Sequence, residues 1–195
     1  MNPLKTISTG MLLALVSVST GIPAAYADDK TAELPSFVQS SIESQEFVER
    51  AAAAGIADVE LAKLALSKSA MEEVRHFAQI MLADHTAANK ELRKLATAKG
   101  MKIPDEATLV ERAKSYVLEM SQGETFDEAY AKNQLKAHTE ALNLYRRAAN
   151  SDDVDVKNLA DVLVPTLEHH FSMAETLVNV VARSAQDVPS SAGKR

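Results

Sequence analysis

The chain has 195 residues, a formal net charge of −6 and no cysteine. Without cysteine it can form no disulfide, no thiolate metal site and no cysteine nucleophile, and it lacks an N-terminal cysteine that could carry a lipid. An acidic chain without a cluster of Lys and Arg argues against nucleic acid and anionic lipid as partners. Abundant Ala and Leu, six glycines, six prolines and no tryptophan are typical of helices, not sheets.

The first 27 residues have the three-part pattern of a signal peptide. Lys5 precedes an apolar run at 11–18, and the segment closes with the small-x-small triplet Ala25-Tyr26-Ala27. The apolar run is too short to span a bilayer, and no later segment reaches that length. We therefore predict cleavage after Ala27 and a periplasmic or secreted protein without a membrane span.

The chain that remains after cleavage has the length of one domain with its own core. We predict a flexible N-terminal segment at 28–35, a helical domain at 36–183 and a disordered tail at 184–195. The tail is polar, as expected of an unpacked terminus.

Signals for the start of a helix recur along the domain. Ser36, Ser69 and Thr125 are each followed three positions later by Gln or Glu, the capping-box pattern. Asp105 and Ser151 are candidate N-caps for two more helices. The predicted helices are 36–68, 70–99, 105–121, 125–150 and 152–183. This order predicts an all-α four-helix bundle, with a short extra helix in the crossover between the second and third long helices.

Three of the long helices carry a histidine on the apolar seam that faces the core. His85, His138 and His170 each occupy a heptad position among Leu, Ala and Met. The crossover makes the second and third long helices parallel. At about 1.5 Å per residue, each histidine then lies roughly 20 Å from the same end of the bundle. Three imidazoles in one layer can share a metal ion, and Zn, Cu and Fe all accept this ligand.

A fourth metal ligand could come from the first helix. Glu60 and Asp58 are the candidates, although Glu60 lies more than a turn from the estimated depth of the histidines. Gly55 is nearest to that depth, and its missing side chain would leave room for a ligand or a water.

Two other interpretations of these histidines stay open. Each can be a core residue that is hydrogen-bonded to Thr86, Thr139 or Thr166 in a metal-free structural or stress-associated envelope protein. In acid, protonation of the histidines would lower the stability of such a bundle. An enzyme is the least favoured interpretation, because the sequence has no recognisable nucleophile–base pair.

Three smaller features of the helices bear on the site. Pro165 lies inside the last helix, where it either re-aims the neighbouring His170 or makes a harmless bend. Glu73-x-x-His76 has the spacing of a di-metal motif, but it lies off the seam and is interpreted as a solvated face. His169 is expected at the edge of the seam.

Four sequence motifs resemble one bacterial family. They are Val59-Glu60-Leu61-Ala62-Lys63-Leu64-Ala65, Phe77-Ala78-x-x-Met81-x-x-Asp84-His85-Thr86-x-Ala88-Asn89, Phe126-Asp127-x-Ala129-Tyr130 followed by His138, and Leu163-Val164-Pro165-Thr166-Leu167-x-x-His170. With them the chain resembles the domain-of-unknown-function 4142 family of ferritin-like envelope proteins, often labelled outer-membrane proteins.

The resemblance implies a ferritin-like bundle and no established activity. It marks Glu60, His85, His138 and His170 as the matching polar positions of the family. The chain departs from true ferritins because Leu82 and Leu167 stand where paired Glu-x-x-His motifs would place carboxylates. A di-iron oxidase is therefore not implied.

Overall fold

The computed structural model describes residues 42–187, which form five helices. The helices are α1 Ser44–Lys68, α2 Glu72–Lys99, α3 Leu109–Met120, α4 Gly123–Ala148 and α5 Val154–Asp187. The predicted signal peptide at 1–27, the segment at 28–35 and the capping box at Ser36 lie outside the described residues.

The four long helices pack as two hairpins. A short turn joins α1 to α2, and another joins α4 to α5; these two pairs make the most extensive contacts. Across the hairpins α1 packs on α4, and α2 packs on α5. The short helix α3 lies in the crossover and touches α1 and α4. The predicted all-α bundle with an extra helix in the crossover is confirmed.

The core is divided into two hydrophobic clusters at opposite ends of the bundle. The upper cluster joins the start of α1 and α5 to the end of α2 and α4, and it includes Phe47, Leu92, Leu142, Tyr145 and Val156. The lower cluster joins the opposite ends of the same helices, with Leu61, Phe77, Met81, Tyr130 and Leu177. The helices α2 and α4 are therefore parallel to each other and antiparallel to α1 and α5. This arrangement leaves a layer between the clusters for buried polar groups.

Several helix starts differ from the predicted ones. The capping box of α3 is formed by Thr108 and Glu111, and Asp105 does not cap it. At α5, Asp153 Oδ1 accepts the backbone N–H groups of Asp155 and Val156, so Ser151 is not the N-cap. Each observed cap lies two or three residues beyond the predicted one, and its side-chain oxygen accepts a backbone N–H of the first helical turn.

The predicted helix at 36–68 begins at Ser44 within the described residues. The last helix continues through Pro165 to Asp187, four residues beyond its expected end. Pro165 is exposed, so its ring faces solvent rather than the core. Among residues 42–187, no helix has the length and the hydropathy needed to cross a bilayer.

Candidate metal centre

Three buried histidines meet in the layer between the two hydrophobic clusters. His85 on α2, His138 on α4 and His170 on α5 are 7%, 0% and 1% exposed. Every pair of their rings has a centroid distance of 5.4 Å. One nitrogen from each ring lies within 4.8 Å of the other two, a spacing that permits a shared metal ion. The structure thus brings together the three histidines that the seam pattern singled out.

The ring of His138 is oriented by its own helix. Its Nδ1–H donates to the Gln134 carbonyl oxygen over 2.9 Å, one turn earlier on α4. A carbonyl can only accept, so in the neutral ring the Nε2 atom carries the lone pair. That Nε2 lies 3.3 Å from His85 Nε2. The inner nitrogen of His138 is therefore available as an acceptor or a metal ligand.

The ring of His85 has a buried carboxylate behind it. Asp58 on α1 is 5% exposed, and its Oδ2 lies 3.6 Å from His85 Nδ1. The carboxylate favours a proton on that nitrogen, which leaves the lone pair on Nε2. Asp58 therefore favours a tautomer whose free nitrogen is directed at His138.

The ring of His170 is bound by a carboxylate from α2. Its Nε2 donates to Asp84 Oδ2 over 2.9 Å. Its Nδ1 is buried and has no hydrogen-bond partner among the described residues. A buried nitrogen acceptor without a donor is uncommon in folded proteins, because desolvation then costs about 1–3 kcal/mol. This atom is the third candidate ligand.

Burial favours the neutral form of two of these imidazoles, those of His138 and His170. It lowers the pKa of His138 below the ordinary histidine value, although Asp58 opposes the shift. Burial also lowers the pKa of His170 to about 4, with Asp84 again opposing it. Neutral imidazole is the form that binds a metal ion, so at pH 7 no proton need be removed from these two rings.

The first helix contributes Asp58 to the site, whereas Glu60 is exposed on another face of α1. Glu60 is not one of the residues whose ligand atoms cluster with the histidines. Gly55 lines a cavity beside the histidines, but the position that its own side chain would take is occupied. A Cβ at Gly55 would lie 2.0 Å from Asn89 Oδ1, so the Asn89 side chain fills that position.

Helix lengths alone predict Gly55 at the level of the histidines, but the ends of α1 and α2 do not lie at the same level. Asp58 lies ten residues before the end of α1, whereas His85 lies thirteen residues after the start of α2. The ends of the two helices are therefore staggered by about three residues, or about 4.5 Å. A stagger of this size replaces Gly55 with Asp58 at the level of the histidines.

Two of the three threonine hydroxyls that were predicted as histidine partners have other partners. Thr86 Oγ1 donates to the Leu82 carbonyl, and Thr139 Oγ1 donates to the Leu135 carbonyl. Both threonines are exposed on their helices. The histidines instead use two carboxylates and one main-chain carbonyl.

A cavity of about 40 Å³ adjoins the histidine layer on the side of the upper cluster. All four long helices contribute to its wall. Its polar lining includes Asp58, Asp84, His85, Asn89, Thr166 and His170. Its small lining residues are Ala51, Ala54, Gly55, Ala88 and Ala141. A volume of this size holds about two or three waters.

Further polar atoms are buried below the histidine layer. The Gln134 side chain is fully buried, and neither of its amide atoms has a hydrogen-bond partner among the described residues. The hydroxyl of Tyr130, one turn further down α4, is in the same situation, and burial raises the pKa of Tyr130 well above its usual range. Sequence reasoning missed Gln134, which is one turn from His138 on the same face of α4.

An outer groove between α2 and α5 holds the exposed residues Glu73, His76 and His169, together with Met173. Its volume is about 380 Å³. These residues do not form a cluster with the spacing of a shared metal ion. The expectation that Glu73 and His76 lie on a solvated face agrees with their exposure.

Residues 30–177 match the family described as "Domain of unknown function (DUF4142)", and the chain belongs to that family. No curated protein and no solved structure matches the chain.

Proposed function

We propose that this member of the DUF4142 family binds one divalent transition-metal ion through His85 Nε2, His138 Nε2 and His170 Nδ1. The proposal rests on one observation, namely that the two nitrogens of each ring have different surroundings. One nitrogen of each imidazole faces an acceptor, namely Asp58, the Gln134 carbonyl or Asp84. Such partners fix the tautomer and orient the other nitrogen toward a metal in known histidine sites.

The distances support a site of tetrahedral type. With metal–nitrogen bonds of about 2.0–2.1 Å, two ligands of a tetrahedral ion are about 3.3 Å apart. His85 Nε2 and His138 Nε2 are separated by 3.3 Å. One nitrogen of each ring lies within 4.8 Å of one nitrogen in each of the other two rings, so a side-chain movement of roughly 1 Å would complete the set.

The local charges also suit a divalent cation. Imidazoles that bind a metal ion do so in the neutral form, whereas Asp58 and Asp84 bring two negative charges directly behind the rings. A divalent ion at the centre makes the group neutral, which reduces the cost of burying it. Imidazole ligands accept Zn²⁺, Cu²⁺ and Fe²⁺, and the general order of stability favours Cu²⁺ and Zn²⁺ over Fe²⁺.

A metal-free protein is the second candidate, and one observation favours it. The facing Nε2 atoms of His85 and His138 at 3.3 Å can share a single proton, with the Asp58 carboxylate balancing the charge. In that case the layer is a structural hydrogen-bonded network in an envelope protein.

Metal analysis separates the two candidates. The full mature chain is stripped with a chelator and titrated with Zn²⁺ and Cu²⁺ by calorimetry, and its melting temperature is followed. One equivalent should bind, and the melting temperature should rise because the ion binds the folded form. The double variant His76→Ala/His169→Ala, which removes only exposed histidines, should behave like the wild type. No binding, or binding that the double variant abolishes, would contradict the proposal.

We also propose that the protein is exported, on the sequence pattern of residues 1–27 alone. In the native host, N-terminal sequencing of the purified protein should give Asp28 as the first residue. A chain that begins at Met1 or Asn2 would contradict cleavage.

A further inference from the structure

We propose that the fourth coordination position of the metal opens into the 40 Å³ cavity and takes water or an uncharged molecule of one or two heavy atoms. This inference rests on the proposed metal site and specifies the ligand class that the site can accept.

The described residues supply three ligands and no fourth. The group with ligand spacing contains the three histidines only, within residues 42–187. Asp58 lies behind His85, beside Nδ1, on the side of the ring away from His138. Asp84 likewise binds the outer nitrogen of His170. A metal with three protein ligands keeps one position for water or another small molecule.

The cavity borders two of the three proposed ligands, His85 and His170. Its wall includes His85 and His170 but not His138, so it adjoins the histidine layer from the upper cluster. It combines polar groups at the layer with alanine side chains further away. Polar lining and room for two or three waters are the conditions under which a buried site holds water.

The charges of the wall select against anions. Asp58 and Asp84 both line the cavity, and together they balance a divalent ion. An added anion would leave an uncompensated negative charge beside the buried Asp58 and the half-buried Asp84. The alanines and the small volume exclude larger ligands, because a longer side chain or substrate would have to displace packed helices.

The first test detects the water directly. The full mature chain is loaded with one equivalent of Cu²⁺, and electron paramagnetic resonance is recorded in ¹⁷O-enriched water. We expect hyperfine coupling from one exchangeable coordinated water. Failure to bind Cu²⁺ would overturn the proposed metal site, whereas Cu²⁺ bound without water would overturn this inference alone.

The second test fills the cavity. Ala88 lines it and is half-buried, so Ala88→Leu places a larger side chain inside, whereas its exposed neighbour Ala87 provides the matched control Ala87→Leu. Ala88→Leu should keep the helical circular dichroism and one equivalent of Cu²⁺ but lose the coupling, and Ala87→Leu should retain it. Retention of the coupled water in Ala88→Leu would overturn the assignment of the position to this cavity.

The third test addresses charge. Fluoride is an anion of one atom, and at saturating Cu²⁺ it should bind about tenfold more tightly to Asp58→Asn than to the wild type, because one buried negative charge is removed. Equal fluoride affinity in both proteins would overturn the inferred selection for uncharged ligands.

Discussion

His169 and His170 are adjacent in the chain, yet they belong to two very different regions. His170 lies in the buried layer, 1% exposed, with Asp84 on one ring nitrogen and a free acceptor on the other. His169 lies with Glu73 and His76 in the outer groove, where the side chains are exposed. Both regions contain histidines and carboxylates. Their chemistry differs because only the buried layer orients each ring, and this orientation is what a metal site requires.

The largest expected effect comes from comparing the two neighbours directly. His170→Ala removes a proposed ligand and should weaken Zn²⁺ binding about a hundredfold or more, since one of three protein ligands is lost. His169→Ala should leave the affinity unchanged within about twofold. Calorimetric titration measures both. Equal losses in the two variants would place the metal outside the buried layer.

A smaller loss of Zn²⁺ affinity is expected when the three histidines are kept and only a carboxylate that binds one of them is replaced. Asp84→Asn keeps the size of the side chain but removes the charge that polarises His170, so Zn²⁺ affinity should fall about tenfold to a hundredfold. Glu73→Gln, the same kind of change in the outer groove, serves as the control and should have no effect on affinity. If Asp84→Asn binds like the wild type, the carboxylate does not tune the site.

Acid should affect the metal-free protein through the buried layer. The pKa of His170 is lowered to about 4 by burial, and that of His138 is lowered for the same reason. The unfolded chain, with histidine pKa values of about 6.5, then binds more protons than the folded chain in this range. The free energy of unfolding should therefore decrease as the pH falls from about 6.5 to about 4, and the melting temperature should drop by about 5 °C or more.

The variant His170→Asn isolates this effect from the protonation of carboxylates. Its melting temperature should fall less steeply over the same pH range, while His169→Ala should follow the wild type. Circular dichroism of the metal-free proteins gives these curves. An identical slope in all three proteins would show that the buried layer is not responsible.

The smallest effect is expected for the outer groove itself. His76→Ala and Glu73→Gln alter exposed side chains that lie outside the histidine cluster. Each should therefore change the free energy of unfolding by less than about 0.5 kcal/mol. Urea denaturation measures this difference. A larger loss in either variant would mean that the outer groove also stabilises the fold.

The three histidines could be predicted because their signal is periodic. Each lies on a heptad seam, and a seam position is buried whatever the exact crossing of the helices. Asp58 carries a similar signal: Ala51, Gly55, Asp58, Ala62 and Ala65 follow steps of four and three and are all buried. This stripe favours Asp58 over Glu60 as the residue that faces the core.

The partners of the rings could not be predicted in the same way. Asp84 is half-buried and lies beside the seam, so its contact with His170 depends on how closely α2 and α5 approach. The side chain of Asn89 fills the space at Gly55 because of the stagger between α1 and α2. Such contacts depend on helix offsets of a few ångströms, which the turn between the helices determines and periodicity does not encode.

The distribution of the histidines over the two hairpins has a consequence for unfolding. His85 belongs to the first hairpin, whereas His138 and His170 belong to the second, and 53 residues of chain separate His85 from His138. An ion held by all three would be a crosslink between the hairpins, comparable to a disulfide that closes a long loop. In a chain without cysteine, this crosslink would be reversible by a chelator and by acid. The resistance of the protein to proteolysis would therefore increase when the metal is available and decrease when it is removed.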